Sequence, residues 1–270
     1  MSWFYKTVVC LVVALPAVAQ SQRFSKITIR AASSGDPRNT RMQVLPKGDL
    51  VAHAVPLIML LSYAYDVPVD PSSRLFAVPD WAIRERYDIE GKSIAPRLQD
   101  GNSRSQVQQE IRGLLADRFR LTMQVENKAM SVYALTVSRN GPKLQKSAIA
   151  DKDCVFDTDP DGCHNFVPGF GHPLNAKAVE MEDLAQYIAN WTDLPVVNRT
   201  SLRGLFTVHT DGWLPMRLPP SPPDAPPGVN HFAGLPTIFA VLGKLGLELN
   251  RQEEILPVYT VQRVERPVTD

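Results

Sequence analysis

The side chains able to do chemistry gather in one polar stretch, Asp153 to Cys163, and one short alternating run, Arg86 to Glu90. Cys154 and Cys163 stand close together in a polar loop, and in an exported chain such a pair reads as a disulfide. The same cysteines with His164 and His172 offer a competing zinc site. Their spacing is not that of a zinc finger, and an oxidising compartment disfavours free thiolates. Asp157, Asp159 and Asp161, followed by Gly162, match the first half of a calcium loop. The twelfth position is Pro168, where such a loop needs a bidentate glutamate, so an acidic solvated turn is expected. Asp88 and Glu90 share one strand face, as paired carboxylates for acid–base work would. Solvent-facing polar residues on a one-sided sheet produce the same pattern. The five histidines, His53, His164, His172, His209 and His231, show no ligand spacing, and no G-x-S-x-G, H-E-x-x-H, S-x-x-K or phosphate loop occurs. No catalytic, cofactor-binding or metal-ligating residue is therefore assigned. The one assigned pair is the Cys154–Cys163 disulfide.

The elements that must position these residues carry a repeat. Leu50 to Tyr63, LVAHAVPLIMLLSY, returns 124 residues later as Leu174 to Tyr187, LNAKAVEMEDLAQY, with 6 of 14 positions identical. Phe119 to Met123 followed by Val132-Tyr133 returns at an offset of 126 as Leu245 to Leu249 followed by Val258-Tyr259. Two blocks in the same order at nearly one offset imply an internal duplication. Apolar periodicity predicts helices over Val55 to Tyr65, behind Ser105, over Met181 to Trp191 and from Ile238 to Leu245. Pro56 suits the first turn of the first helix and Pro68 ends it. Ser105 with Gln108 forms a capping box for the second. Phe24 to Arg30 reads as an opening strand, and Tyr87 and Ile89 put Arg86 to Glu90 in another. Leu121 to Val125 and Tyr133 to Val137 read as a hairpin turning near Asn127-Lys128. Leu247-Glu-Leu249 and Val258 to Val264 read as a second hairpin.

The fold class expected is α+β, in two tandem repeated modules, each with two helices packed on a small, mainly antiparallel sheet. The first module spans 20–146 and the second 165–270, with a polar insert carrying the cysteine pair at 147–164. The Pro-rich stretch 215–228 should be exposed and irregular. Leu60, Leu114, Leu115, Leu184, Val241 and Leu242 should be buried; Trp81 and Trp191 read as core or module-interface residues rather than ligand platforms.

Residues 1–19 look like a secretory signal peptide: one early charge, an apolar run from Thr7 to Leu15, and Ala17-Val-Ala19 before Gln20. Cleavage there leaves 251 residues and no transmembrane segment, because no later run reaches the roughly 20 apolar residues a spanning helix needs. A net charge of +1 gives no electrostatic case for nucleic acid or an anionic membrane. The 23 prolines are clustered, which places stiff loops rather than breaking every element.

A series of short motifs, Val55 to Tyr65, Pro79-Asp-Trp81, Arg86 to Glu90, Leu114 to Phe119, Val132 to Leu135, Asn140 to Leu144, Pro195 to Thr200, Gly204 to Thr207, Leu245 to Leu247 and Val258-Tyr259, occurs in this order. With them the chain resembles the soil-associated family of secreted bacterial proteins of unknown function. The resemblance brings no catalytic residues with it. Each half is also weakly similar, through Val55 to Leu60, Leu114 to Phe119, Val179 to Leu184 and Val241 to Leu245, to the short N-terminal domain of secretins and TonB-dependent receptors. That likeness implies protein–protein contact or signalling in the periplasm, although no secretin channel or outer-membrane barrel follows.

The function expected is an exported, periplasmic or secreted, non-enzymatic binding or interaction protein without a cofactor. Its partner would be an envelope protein or an extracellular ligand, not nucleic acid. The alternative is a secreted hydrolase with a divergent site built from Asp88, Glu90 and the insert.

Overall fold

In the computed structural model the described residues are 24–33, 40–45, 48–69, 72–94, 103–150, 153–154, 156–157, 162–217 and 232–270. The expected signal peptide, Asp159, Asp161, His231 and residues 218–228 of the Pro-rich stretch lie outside them.

The first half opens with β1 (Phe24–Ala31), β2 (Arg41–Val44) and β3 (Leu50–Pro56). Helix α1 (Leu57–Tyr65) follows β3 without a loop, with Pro56 as its N-cap rather than inside its first turn. It is apolar nearly all round and is buried on most of its surface, as its composition requires. Its end falls at Asp66, not Pro68: Asp66 adopts the left-handed conformation (φ 49°) that closes helices. Next come β4 (Leu75–Phe76), a short helix α2 (Asp80–Arg84), β5 (Arg86–Ser93) and α3 (Ser103–Arg118). Sequence periodicity does not reveal α2, because five residues are too few to show a helical repeat. Helix α3 begins two residues before Ser105, so the expected capping box does not form; Gln108 instead donates to the end of α1.

Strand β6 (Thr122–Val137) is a single 16-residue element where a hairpin was expected, and β11 (Leu247–Arg263) is a single strand of 17. They pair with each other, antiparallel, from Leu247↔Val137 to Arg263↔Thr122. The hairpin expectation fails for a physical reason. A tight turn at Asn127-Lys128 would need positive φ at both residues, which a lysine resists, whereas the straight strand pairs with β11 along its whole length. Between these strands lie β7 (Gln145–Lys146), β8 (Ala176–Val179), α4 (Met181–Ala189), β9 (Val196–Asn198), β10 (Phe206–Val208) and α5 (Ile238–Lys244).

Among the described residues the result is a mixed α+β architecture of three sheets, ordered β1-β5-β3-β2, β7-β10-β8 and β4-β11-β6-β9. The first two are antiparallel, while β4 and β9 join the long ribbon in parallel. One core packs α1 and α3 on the first sheet together with Leu121 and Val261. A second packs α4 and α5 on the β8/β10 sheet together with Leu135, Leu247 and Leu249. The ribbon thus contributes one end to each core. Leu60, Leu114, Leu115, Leu184, Val241 and Leu242 are all buried, and Trp81 and Trp191 pack at the margins of the two cores. The Pro-rich stretch departs from expectation at its start: Pro215 is buried, where the backbone of Met216 is tied to Trp191 O.

Candidate functional site

The residues singled out by type are mostly engaged with the protein itself. Cys154 and Cys163 form a disulfide, with Cα atoms 5.6 Å apart, so neither is a free thiolate for zinc. His172, from the same zinc alternative, stacks on Trp191 with ring centroids 3.5 Å apart. Burial holds its imidazole pKa below the ordinary value. Asp157 accepts from Arg41 Nε and NH2 at 3.1 and 2.7 Å and from Gln43 Nε2 at 2.5 Å, which ties the insert to β2. Asp88 Oδ1 accepts the Ala54 N–H at 2.9 Å, where β3 breaks register and Ala54 takes φ 49°. Its role there is to hold a bulge, a conformation that costs a non-glycine residue free energy. Glu90 on the same strand is exposed.

A constellation that sequence reasoning missed lies where α1, α3 and α4 meet. Arg104, in the first turn of α3, is nearly buried. Its NH1 donates to Asp183 Oδ1, and its NH2 donates to Asp66 Oδ1 and Gln186 Oε1, both at 2.7 Å. His164 Nδ1 lies 2.7 Å from the other oxygen of Asp183, which also accepts the Glu180 N–H at 2.8 Å as part of a capping box that starts α4. Gln108 Nε2 donates to Asp66 Oδ2 at 2.8 Å and to Tyr63 O at 3.0 Å, and Arg112 Nε donates to Ala64 O at 2.7 Å. Two of the last carbonyls of α1 are therefore met by donors from α3, Gln108 and the cationic Arg112, the latter as the negative end of a helix favours. Arg104, Gln108 and Arg112 recur every fourth residue on one face of α3, and that spacing was the signal available in the sequence.

The charges in this cluster stabilise one another. Burial opposes the Arg104 charge, but Asp183 and Asp66 outweigh it and hold the guanidinium above its ordinary pKa. Burial likewise opposes protonation of His164; the Asp183 carboxylate, with a smaller contribution from Glu180, overcomes it and raises the imidazole pKa. Burial pushes Asp183 up, yet His164 and Arg104 together hold it below the usual carboxylate value. His164, Glu180 and Asp183 also lie close enough to share a metal ion. Both oxygens of Asp183 already accept hydrogen bonds, and Arg104 supplies the positive charge, so an ion would have to displace these partners. A crevice of about 20 Å³ beside the cluster, lined by Asp66, Arg74, Glu182 and Gln186, has room for about one water.

A second concavity, apolar, lies along the chain that follows α1. It is a groove of about 320 Å³ lined by Ile58 of α1, Val69, Leu75 and Phe76 of β4, Val78 and Ile83 of α2. Phe76 and Ile83 are 47% and 48% exposed, so its rim presents large apolar side chains to solvent. β4 is the terminal strand of its sheet, and among the described residues its outer edge has no strand neighbour.

Residues 58–264 match the family of proteins of unknown function DUF3738, and the chain belongs to that family. No curated protein and no solved structure matches it. Among the described residues no helix is long and apolar enough to cross a membrane.

Proposed function

We propose that this is an exported, non-enzymatic binding protein of the bacterial envelope, periplasmic or secreted, that receives an extended apolar segment of a partner protein along the outer edge of β4. The observation that carries the reading is the groove of about 320 Å³ beside an open strand edge. Strand addition at such an edge supplies main-chain hydrogen bonds, while a flanking apolar pocket selects alternate side chains of the incoming segment. Exposed apolar rims of this kind mark interaction sites. The disulfide accords with export to an oxidising compartment. Membership of a soil-associated secreted family, and the likeness of each half to the secretin and TonB-receptor domain, belong to this same reading.

The test is photo-crosslinking in the native envelope from a reactive residue placed at Ile83, with one at the exposed Phe239 as control. A discrete adduct from Ile83 alone, abolished by Phe76→Asp, supports the reading. Equal labelling from both positions, or an adduct indifferent to Phe76→Asp, refutes it. The alternative, a secreted hydrolase, would have to work with Asp88, which accepts the Ala54 N–H, the exposed Glu90 and the insert, where Asp157 accepts from Arg41.

The reading also takes the chain as two tandem modules, 20–146 and 165–270. The order strand, nine-residue helix, short parallel strand, strand, helix, long strand runs through both halves, with α2 added between β4 and β5 in the first. Tyr133 pairs with Val196 of β9 and Tyr259 with Leu75 of β4. Arg120 and Gly246, related by the offset of 126, both have positive φ and both precede a long strand. Because β4 joins β11 and β9 joins β6, the halves exchange strands. Co-expressed 20–146 and 165–270 should therefore purify together, and two independently folded, non-associating halves would refute the arrangement.

A further inference from the structure

The wall of the groove and the buried charge cluster share one segment of chain. Asp66 ends α1 and begins the connection that supplies Val69, Leu75 and Phe76 to the groove. Asp66 is held at three points: Oδ1 by Arg104, Oδ2 by Gln108, and its carbonyl by Arg74 from farther along the same segment. Arg104 is in turn shared with Asp183, whose second oxygen is held by His164. We propose that protonation of His164 controls the apolar groove, the cluster gripping Asp66 and its wall while the imidazolium is present and releasing them when the proton leaves.

This inference rests on the groove reading for its biological meaning, but not for its mechanism. With His164 charged, His164 and Arg104 together face Asp183, Glu180 lies beside the imidazolium, and Arg104 also reaches Asp66, near which Arg74 and Glu182 lie. Without that proton, Arg104 is the remaining cation that contacts both Asp183 and Asp66. Asp183 has almost no access to water, whereas Asp66 keeps 34% of its side-chain exposure, so Asp66 is the carboxylate that water can take over. The charged groups facing His164 are Asp183 of α4, Glu180 just before it and Arg104 of α3. The two acids favour the proton and Arg104 opposes it; the acids prevail, so the proton is held above the ordinary imidazole range. Grip is therefore complete below the ordinary imidazole value and is lost as pH rises through the raised folded pKa of His164.

The test is amide hydrogen exchange of residues 67–69 and 72–76 in the intact protein, corrected for the intrinsic pH dependence of exchange, from about pH 5 to about pH 9. Protection should be lost progressively as pH rises, through a midpoint that coincides with the His164 titration followed by NMR. His164→Gln should abolish the midpoint. Asp66→Asn should do the same to the segment while His164 still titrates, which keeps the test decisive if the histidine variant folds poorly. A flat profile in the natural protein, or a midpoint that survives Asp66→Asn, overturns the proposal. Because exchange reads the wall without any ligand, this result is independent of the crosslinking outcome.

Discussion

Replacing Arg104 by leucine removes a guanidinium that ties α3 both to the end of α1 and to α4. The two ion pairs it makes are unequal. Towards Asp183 both side chains are nearly buried, whereas Asp66 is a third exposed and keeps Gln108 as a partner. Breaking a buried pair by deleting one member costs about 3–5 kcal/mol, because the remaining charge is left uncompensated. Here Asp183 retains His164, which moves the expected loss towards the lower end of that range, and the half-solvated Asp66 pair adds about 0.5 kcal/mol. The expected destabilisation is therefore about 3 kcal/mol, a substantial part of the 5–15 kcal/mol typical of a folded domain. Equilibrium urea unfolding at neutral pH measures it, and a double-mutant cycle with Asp183→Asn isolates the pair. A loss under about 1 kcal/mol, or no coupling in the cycle, would refute the claim that the cluster is buried and mutually dependent.

Leu184→Ala should cost about 2–5 kcal/mol in the same assay, since Leu184 is fully buried in the second core; a change near zero would show that α4 does not pack there. Reducing the disulfide, which closes a loop of sequence separation 9, should lower stability by about 2–3 kcal/mol, and quantitative labelling of both thiols in non-reduced, denatured protein would contradict the pairing. Stability should also depend on pH at both ends of the range. His164 has a raised folded pKa, so its contribution is complete below its ordinary value of 6.5 and fades as pH rises through the folded value. Asp183 has a lowered one, so its contribution is present above 3.8 and fades as pH falls through the folded value. Unfolding midpoints measured against pH should lose the alkaline decline in His164→Gln and keep it in the exposed-site control His209→Gln.

The local sequence determined those features whose cause is local. The apolar stripe of Met181 to Ile188 needs a core, and α4 has one. The alternation of Tyr87 and Ile89 makes a one-sided strand, and the paired cysteines are near enough along the chain to meet. Tertiary structure alone decided which strands pair. Alternation in Leu121 to Val137 is the same whether the segment folds back on itself or lies against Leu247 to Arg263, because period two reports a pleat and not a partner. The charge cluster was hidden for a related reason. Arg104 and Asp183 are 79 residues apart and unremarkable in type, and nothing in their neighbours says that the start of α4 will sit beside the end of α1. Once packing brings those helix ends together, the low dielectric of the junction makes each charge require the others, a requirement that belongs to the folded interior and not to any stretch of the chain.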